Sequence, residues 1–304
     1  MSSNAVVIDK KERINGWSWP LHPFQLVAWF FVVAIPFVYY GSIVSHLPKK
    51  WILVGCLVPG ACLLVHIIFH VVCLTIDPAD PKIRQELVEK AEGFDRSLHK
   101  HVIENCHCYI CQVDVGKKSK HCALCNKCIS EFDHHCKWLN NCIGGRNYKL
   151  FLSCLSAALA TALSFLVFCL YLFVMYFKNK ASVIDNIESW SMFGDLSGEI
   201  FITLTAIIIV LLLLAILLLG HLLCFHIFLI RKGLSTYDFI VQNRQAAVES
   251  EESENAVRSP NKLKTCKANK VSQQNITKPE GSGIEVKMKN LQEECQIEIN
   301  HKPG

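Results

Sequence analysis

Residues 106–147 decide the fold of this chain, and they read CHCYICQVDVGKKSKHCALCNKCISEFDHHCKWLNNCIGGRN. These 42 residues contain eight cysteines and four histidines. Cysteines separated by two residues occur at Cys108/Cys111 and at Cys122/Cys125, and thiolate pairs at this spacing bind tetrahedral zinc. The segment has few apolar residues, so metal binding would supply the folding free energy that hydrophobic burial cannot. The pattern therefore predicts a metal-stabilised module.

Two assignments of ligands to two zinc ions fit this segment. The simple assignment takes the cysteines in order and forms one site from Cys108, Cys111, Cys122 and Cys125, and another from Cys128, His134 or His135, Cys136 and Cys142. The interleaved assignment forms one site from Cys108, Cys111, His121 and Cys128, and another from Cys122, Cys125, His135 and Cys142. Each interleaved site has three thiolates and one imidazole, as closed structural sites do. We favour the interleaved assignment. The simple assignment either uses Cys136 as a ligand or leaves its second site with too few ligands.

The interleaved assignment leaves Asp133, His134 and Cys136 without a role in metal binding. Alternate side chains of an extended segment share a face, so His134 can face Cys136 while His135 turns toward zinc. A neighbouring imidazole can accept the thiol proton, and an aspartate can hold that imidazole in the useful tautomer. The residues therefore predict an activated thiol at Cys136. The alternative is that Asp133 and His134 are simply solvated.

Four apolar runs lie on either side of this module, and each is long enough to span a bilayer, which takes about 20 residues. They cover residues 24–44, 51–76, 150–177 and 200–230. The chain is 51% hydrophobic and only 19% charged, against about 25% charged for soluble domains, which excludes a purely soluble protein. The predicted fold class is an all-α integral membrane protein with four transmembrane helices and a small two-zinc cysteine-rich domain between the second and third spans.

The positive charges predict the orientation of these spans. Residues 77–149 contain twelve Lys and Arg residues, whereas the loops at 45–50 and 178–199 contain two each, and cytosolic loops carry the excess. We therefore expect residues 1–23, 77–149 and 231–304 to be cytosolic, and residues 24–76 and 150–230 to form two pairs of membrane helices. The polar N-terminus lacks the pattern of a secretory signal, so reduced cysteines are expected. The polar, mixed-charge tail at 231–304 is expected to be largely disordered.

The motif Asp133-His134-His135-Cys136, placed between the second and third spans, resembles the DHHC-type protein S-acyltransferases, or palmitoyltransferases. The similarity follows the cysteine array from residue 108 to residue 147 and covers about residues 20–240. It implies the interleaved pair of structural zinc sites. It also implies that Cys136 is the nucleophile, His134 the general base and Asp133 its orienting partner.

The same resemblance implies a two-step reaction on the membrane surface. Cys136 would take a long-chain acyl group from acyl-CoA, such as palmitoyl-CoA, and pass it to cytosolic cysteines of membrane-associated proteins. Family positions imply that Trp138 and Phe151 line the mouth of an acyl pocket and that Lys118 and Lys120 contact CoA phosphates. A plainer interpretation of the two lysines is contact with anionic lipid. The implied location is the endoplasmic reticulum or Golgi membrane.

The chain departs from the family pattern at three places. Lys137 follows Cys136 at a position where the family usually has proline. The chain also has Asp-Pro-Ala at residues 77–79, where the family usually has Asp-Pro-Gly. Residues 235–238, Ser-Thr-Tyr-Asp, form a degenerate Thr-Thr-x-Glu motif, which usually ties the tail to the core. These departures leave open whether the tail docks, and they favour one alternative function, a weakly catalytic zinc-module adaptor.

Two further features of the sequence bear on function. A nucleic-acid-binding zinc finger needs an exposed basic helix without a bilayer tether, so no nucleic-acid partner is expected. The apolar runs contain histidines, among them His66 and His70 one turn apart and His221 and His226 in the fourth run. Intramembrane histidines are candidates for function, and they could form interhelical hydrogen bonds or a further metal site. We expect hydrogen bonds.

Overall fold

The computed structural model of the chain describes residues 5–7, 11–85, 90–91, 93–184, 192 and 197–258. Among these residues, four helices are long and apolar enough to cross a membrane: Pro23–His46, Lys49–Thr75, Tyr148–Lys178 and Gly198–Lys232. Their ends lie within two residues of the predicted runs at 24–44, 51–76, 150–177 and 200–230. The predicted fold class is confirmed, and the protein is a multi-pass membrane protein.

The bounds of the helices show that the first span is irregular near its C-terminal end. The first span begins as α1 and ends in a π turn at Tyr39–Ile43 and a 3-10 turn at Val44–His46. The helices are α1 Pro23–Val38, α2 Lys49–Thr75, α3 Pro81–Gln85, α4 Tyr148–Lys178, α5 Lys180–Ile184, α6 Gly198–Lys232 and α7 Thr236–Arg258. Helix α6 ends at Gly233, whose φ of 66° is the left-handed conformation that glycine adopts readily at a helix C-terminus.

The membrane core forms where α4 packs between α2 and α6. Tyr39, Phe165 and Leu212 are buried there, and the Tyr39 hydroxyl donates a hydrogen bond of 2.9 Å to the carbonyl oxygen of Gly55. The opposite faces of the same helices expose large apolar side chains such as Leu217 and Phe177. This exposure is what a lipid environment requires, because in hydrocarbon the outer face of a helix has no need of polar groups.

Small antiparallel hairpins make up the segment between α2 and α4. The strands are β2 Gly93–Asp95, which pairs with β1 Ala5–Val7, then β3 Ile103–Glu104, β4 His107–Cys108, β5 Val113–Asp114, β6 Lys120–Cys122, β7 Lys127–Ile129, β8 His134–Cys136 and β9 Asn141–Ile143. Asn126 and Asn140, in the turns of the last two hairpins, have φ of 52° and 49°. Asparagine tolerates this left-handed conformation, so the sequence encodes both tight turns.

Part of the segment expected to be a largely disordered tail is helical. Helix α7 covers Thr236–Arg258, where a largely disordered tail was expected from polarity and mixed charge. This stretch is rich in glutamate, glutamine and alanine, which have high intrinsic helix propensity, and Asp238 occupies its first turn, where a negative charge stabilises a helix. Residues 259–304, with the remainder of that prediction, lie outside the described residues.

The N-terminal segment at residues 13–20 connects the metal-binding segment to the membrane helices. The Gly16 amide donates to the Leu74 carbonyl oxygen at 2.8 Å, near the end of α2. The Gly16 carbonyl oxygen accepts from the Gln25 side chain in α1 at 2.9 Å and from the Asn140 side chain at 3.5 Å. The Arg13 amide donates to the Cys125 carbonyl oxygen at 3.0 Å. This segment therefore fixes the β8–β9 turn against two membrane helices.

Replacing Gly16 with alanine is expected to destabilise the protein. A Cβ atom at this position would lie 2.4 Å from the Leu139 carbonyl oxygen and 2.6 Å from Leu74 Cδ2. Because the oxygen belongs to the backbone of the β8–β9 turn, relief requires that the turn move. We expect a loss of about 1–3 kcal/mol, measured by chemical unfolding in mild detergent. Gly116→Ala is the control, since its nearest contact would be 3.4 Å, and an equal loss there would contradict the proposed fit.

Candidate metal centres and active site

The first Cys/His cluster consists of Cys108, Cys111, His121 and Cys128, whose ligand atoms all lie within 4.8 Å of one another. Hairpin β6–β7 pairs His121 with Cys128 across the two strands. The other two cysteines come from β4 and the turn that follows it. The three sulfur atoms lie 3.8, 3.4 and 3.9 Å from His121 Nδ1, in the order Cys108, Cys111 and Cys128.

The second Cys/His cluster consists of Cys122, Cys125, His135 and Cys142, again with all ligand atoms within 4.8 Å. Hairpin β8–β9 pairs His135 with Cys142. The sulfur atoms of Cys122, Cys125 and Cys142 lie 3.9, 3.4 and 3.5 Å from His135 Nδ1. Three sulfurs and one imidazole nitrogen at these separations suit a tetrahedral metal ion. Both clusters could therefore bind metal.

Strand β6 explains why the two clusters interleave. His121 and Cys122 are adjacent in this strand, so their side chains leave on opposite faces and enter different clusters. The simple assignment would join Cys108 and Cys111 with Cys122 and Cys125, and the structure separates these pairs. The structure also places Cys136 outside both clusters.

The sulfur atoms of each cluster share protons unequally. Hydrogen bonds with Cys111 and Cys128 hold the pKa of Cys108 well below its usual range, and those with Cys125 and Cys142 do the same for Cys122. The hydrogen bond with Cys108 in turn raises the pKa of Cys111 to about 12. A cation at the centre would stabilise all the thiolates together, because it replaces their mutual repulsion with attraction.

Asp133, His134 and Cys136 form the arrangement that the sequence predicts. His134 Nδ1 lies 2.7 Å from Asp133 Oδ2, and the His134 ring also hydrogen-bonds with the Cys136 thiol. Both His134 and Cys136 belong to β8, with His135 between them directed into the second cluster. Asp133 and Cys136 are buried. The strand thus presents a sulfur that belongs to neither Cys/His cluster beside an oriented imidazole.

The charges at this site favour a protonated imidazole on His134 beside the Cys136 sulfur. Burial acts to lower the pKa of His134, but its hydrogen bonds with Asp133 and Cys136 outweigh burial and raise this pKa to about 9. Burial acts to raise the pKa of Asp133, but the hydrogen bonds from His134 and Thr236 lower it. A negative Asp133 therefore holds a positive His134 next to the Cys136 sulfur.

Comparison with known proteins agrees with this geometry. The family model of the DHHC palmitoyltransferases matches residues 101–243. Palmitoyltransferase ZDHHC1 of Mus musculus is 41% identical over 84% of this chain and 56% of its own length. Palmitoyltransferase ZDHHC11 of Mus musculus is 39% identical over 76% of this chain and 71% of its own length. This chain belongs to the DHHC palmitoyltransferase family.

The similarity covers most of this chain but a smaller share of its relatives. Palmitoyltransferase ZDHHC1 of Homo sapiens is 43% identical over 77% of this chain and 52% of its own length. This DHHC protein thus spans about half the length of the first curated relatives that it matches. Relatives of both names match at similar identity, so the comparison does not favour either one.

The tail of this DHHC protein docks through Thr236 despite its degenerate motif. The Thr236 amide donates to Asp133 Oδ1 at 2.9 Å, and its hydroxyl donates to Asp133 Oδ2 at 2.7 Å. Ser235 and Asp238 bond to each other at the start of α7 instead of to Asp133. Only the second threonine of the usual motif is needed for the contact. It fixes the carboxylate that orients His134.

Removing the Thr236 hydroxyl should slow acylation of Cys136. Thr236→Val keeps the side-chain shape and the amide bond but removes the 2.7 Å hydrogen bond to Asp133. A hydrogen bond to a charged group contributes about 1.5–3 kcal/mol, so the rate should fall by about tenfold or more. The measurement is single-turnover acylation. Ser235→Ala is the matched control, and an equal slowing in that variant would contradict a specific role for Thr236.

His226 also lies at this site, beside Asp133 and His134, which the sequence did not indicate. It lies buried in α6, and ligand atoms of Asp133, His134 and His226 are within 4.8 Å of one another. Tyr148 Oη lies 3.3 Å from His226 Nδ1. The sequence marked His226 only as an intramembrane histidine expected to form an interhelical hydrogen bond. Its proximity to Asp133 and His134 depends on the tertiary packing of α6.

The four residues predicted to bind acyl-CoA lie at different depths. Phe151 is buried in the same side-chain cluster as Cys136, with its ring centroid 5.4 Å from that of His134. Trp138 is exposed and stacks on Phe24 of α1 at 5.0 Å. Lys118 is exposed, and the ammonium group of Lys120 lies 5.3 Å from the Tyr237 ring centroid. Phe151 therefore lies beside His134 and Cys136, whereas Trp138 and the lysines lie nearer the surface.

Lys127 has a structural role that the sequence did not indicate. Its side chain is fully buried, and its Nζ lies 2.5 Å from Asp77 Oδ1 and 2.7 Å from the Ile14 carbonyl oxygen. In sequence it resembles the exposed lysines of the same segment, which would offset the charge of the zinc ligands. Instead it links β7 to the end of α2 and to the N-terminal segment. Lys137, which replaces the usual proline, is exposed.

Proposed function

We propose that this protein is a protein S-acyltransferase that moves a long-chain acyl group, such as palmitoyl, from acyl-CoA to cysteines of membrane-associated proteins. The observation that supports it best is the Asp133–His134–Cys136 arrangement, in which the sulfur belongs to neither Cys/His cluster. A thiol paired with an oriented imidazole is a nucleophile. Membership in the DHHC palmitoyltransferase family and the names of the relatives agree with this chemistry.

The proposed reaction has two steps. The Cys136 thiolate attacks the thioester carbon of acyl-CoA, the bond from that carbon to the CoA sulfur breaks, and His134 gives its proton to the departing CoA thiolate. His134 then takes the proton of the acceptor cysteine, whose thiolate attacks the acyl-Cys136 thioester and releases Cys136. Asp133 keeps His134 in position in both steps. Phe151 lies against His134, where it would contact the first carbons of the acyl chain.

Zinc is the metal that we propose for both Cys/His clusters. Each has three thiolates and one imidazole, a donor set suited to structural zinc, which would hold the hairpins that carry Cys136. Lys118 and Lys120 would contact CoA phosphates, and Trp138 would lie at the mouth of the acyl pocket. We place the metal-binding segment and both termini in the cytosol, because the Lys and Arg residues concentrate there. The proposed membrane is that of the endoplasmic reticulum or Golgi.

A weakly catalytic adaptor is the second candidate function, and Lys137 is the observation that favours it. The exposed lysine adjoins Cys136 where the family usually has proline, so the loop loses a rigid residue. An adaptor of this kind would keep both metal ions and bind a partner through the hairpins. It would form little or no acyl-enzyme.

Labelled acyl-CoA distinguishes the two functions. The full chain, purified in detergent with its metal content measured, is incubated with labelled palmitoyl-CoA and then treated with hydroxylamine, which cleaves thioesters. A label that hydroxylamine removes is expected for the acyltransferase. A protein that carries about two zinc ions and no label would support the adaptor and overturn the acyltransferase proposal.

A further inference from the structure

A third group of metal-binding side chains lies inside the membrane region, away from the two Cys/His clusters. His66 and His70 are one turn apart on α2, which places them on the same helix face, and Cys154 on the facing helix α4 approaches them. One ligand atom from each of the three residues lies within 4.8 Å of the others. No part of the proposed acyltransferase mechanism uses this intramembrane group.

The separation between Cys154 and His70 equals the longest sulfur–nitrogen separations in the two Cys/His clusters. Cys154 Sγ lies 3.9 Å from His70 Nδ1. The same separation of 3.9 Å joins Cys128 to His121 in the first cluster and Cys122 to His135 in the second. All three pairs use the Nδ1 atom of the histidine. A sulfur and a nitrogen bound to one metal ion have about this separation.

The His70 ring is buried in the membrane region with few polar contacts. Its side chain is only 7% exposed, and its Nε2 atom is buried without a hydrogen-bond partner in the described part of the chain. The nearest ring, that of Trp29, lies edge-to-face with it at 5.1 Å. Two imidazoles in an apolar membrane interior are costly to bury. Among the described residues, His70 Nδ1 has only the long hydrogen bond with Cys154 Sγ, and an ion bound to both atoms would replace it with stronger bonds while Nε2 stayed as it is.

We propose that His66, His70 and Cys154 bind a monovalent copper ion within the membrane. Thiolate and imidazole ligands suit both copper and zinc, and the net charge distinguishes them. One thiolate, two neutral imidazoles and Cu(I) sum to zero charge, whereas Zn²⁺ would leave one positive charge in a medium of low dielectric constant. Binding forms a Cu–S bond, and the proton of the Cys154 thiol leaves to solvent. No electron is transferred.

The bound ion would join α2 to α4 directly beneath the catalytic strand. Cys154 belongs to the same buried side-chain cluster as Cys136 and Phe151. The end of α2 is tied to strand β9, because the Asn141 side chain donates to the Cys73 carbonyl oxygen at 3.0 Å. We therefore expect copper to stabilise the helix pair on which the β8–β9 hairpin rests, with no direct part in acyl transfer.

Copper content tests the proposal. The full chain is purified in detergent, given copper with a reductant, and dialysed against a cuprous chelator before copper and zinc are measured by mass spectrometry. We expect about one copper ion per chain in the wild type and close to none in the triple variant His66→Leu, His70→Leu and Cys154→Ala. Zinc should stay near two per chain in both proteins, which shows that the hairpins remain folded.

The control variant carries His221→Leu and Cys224→Ala, which remove an exposed histidine and an exposed cysteine from α6. It should keep its copper. If the triple variant fails to fold, Cys154→Ser alone provides the comparison, and X-ray absorption of the copper-loaded wild type should report one sulfur and two nitrogen ligands. Equal copper in the wild type and the variants would overturn the site, as would copper bound only by sulfur. A third zinc ion in place of copper would overturn the choice of metal.

Discussion

Cys136→Ser abolishes the hydroxylamine-sensitive label if Cys136 carries the acyl group. Serine keeps the shape of the side chain, but His134 cannot hold a serine hydroxyl in the ionised form that it supports for a thiol. Removing the nucleophile of a catalytic group that acts as a unit costs at least about a thousandfold in rate. The expected result is therefore no detectable thioester in a single-turnover assay with labelled palmitoyl-CoA. Any slow acylation of the serine would give an ester that resists hydroxylamine.

Cys224→Ser is the matched control for this experiment. Cys224 is an exposed cysteine of α6, distant in sequence from the catalytic strand, and the variant should be labelled like the wild type. The metal content of Cys136→Ser should also be unchanged, because Cys136 lies in neither Cys/His cluster. A thioester that persists in Cys136→Ser would refute its role as the acyl carrier. Loss of a metal ion in that variant would show that the sulfur is a ligand.

The sequence predicted the parts of this site that depend on neighbouring residues. The alternation of side chains in β8 follows from an extended chain, so the opposite directions of His134 and His135 could be deduced before any coordinates. The same reasoning in β6 separates His121 from Cys122. The four membrane helices could be predicted equally well, because hydropathy over about 20 residues depends on composition alone.

The parts that were missed depend on contacts between distant segments. His226 is 92 positions from His134 in the chain, and only the packing of α6 brings it to the catalytic group. Lys127 resembles its exposed neighbours in sequence, yet a partner at Asp77 allows it to be buried. For both residues, the local sequence indicated the chemical nature of the side chain but not which distant residue it contacts.

Loss of a metal ligand is the second change with a large expected effect, because the proposed ions would hold the hairpin that carries Cys136. Cys122→Ala removes one thiolate from the second cluster, and an ion with one ligand missing loses much of a binding free energy that is on the order of 10 kcal/mol for structural zinc. We expect zinc, measured by mass spectrometry, to fall from about two ions per chain to one or fewer. Since His135 in the same cluster adjoins His134 and Cys136, the acyl label should disappear as well.

The fall in zinc should extend beyond the mutated cluster, because strand β6 serves both. His121 of the first cluster adjoins Cys122 of the second in strand β6. Loss of the ion in the second cluster would therefore leave β6 more mobile and weaken the position of His121 in the first cluster. Cys106→Ala is the matched control: it removes a cysteine of the same segment that contributes to neither Cys/His cluster among the described residues. That variant should keep both ions and the label. Two ions retained after Cys122→Ala would contradict the ligand assignment, since three remaining donors would then suffice for the second ion.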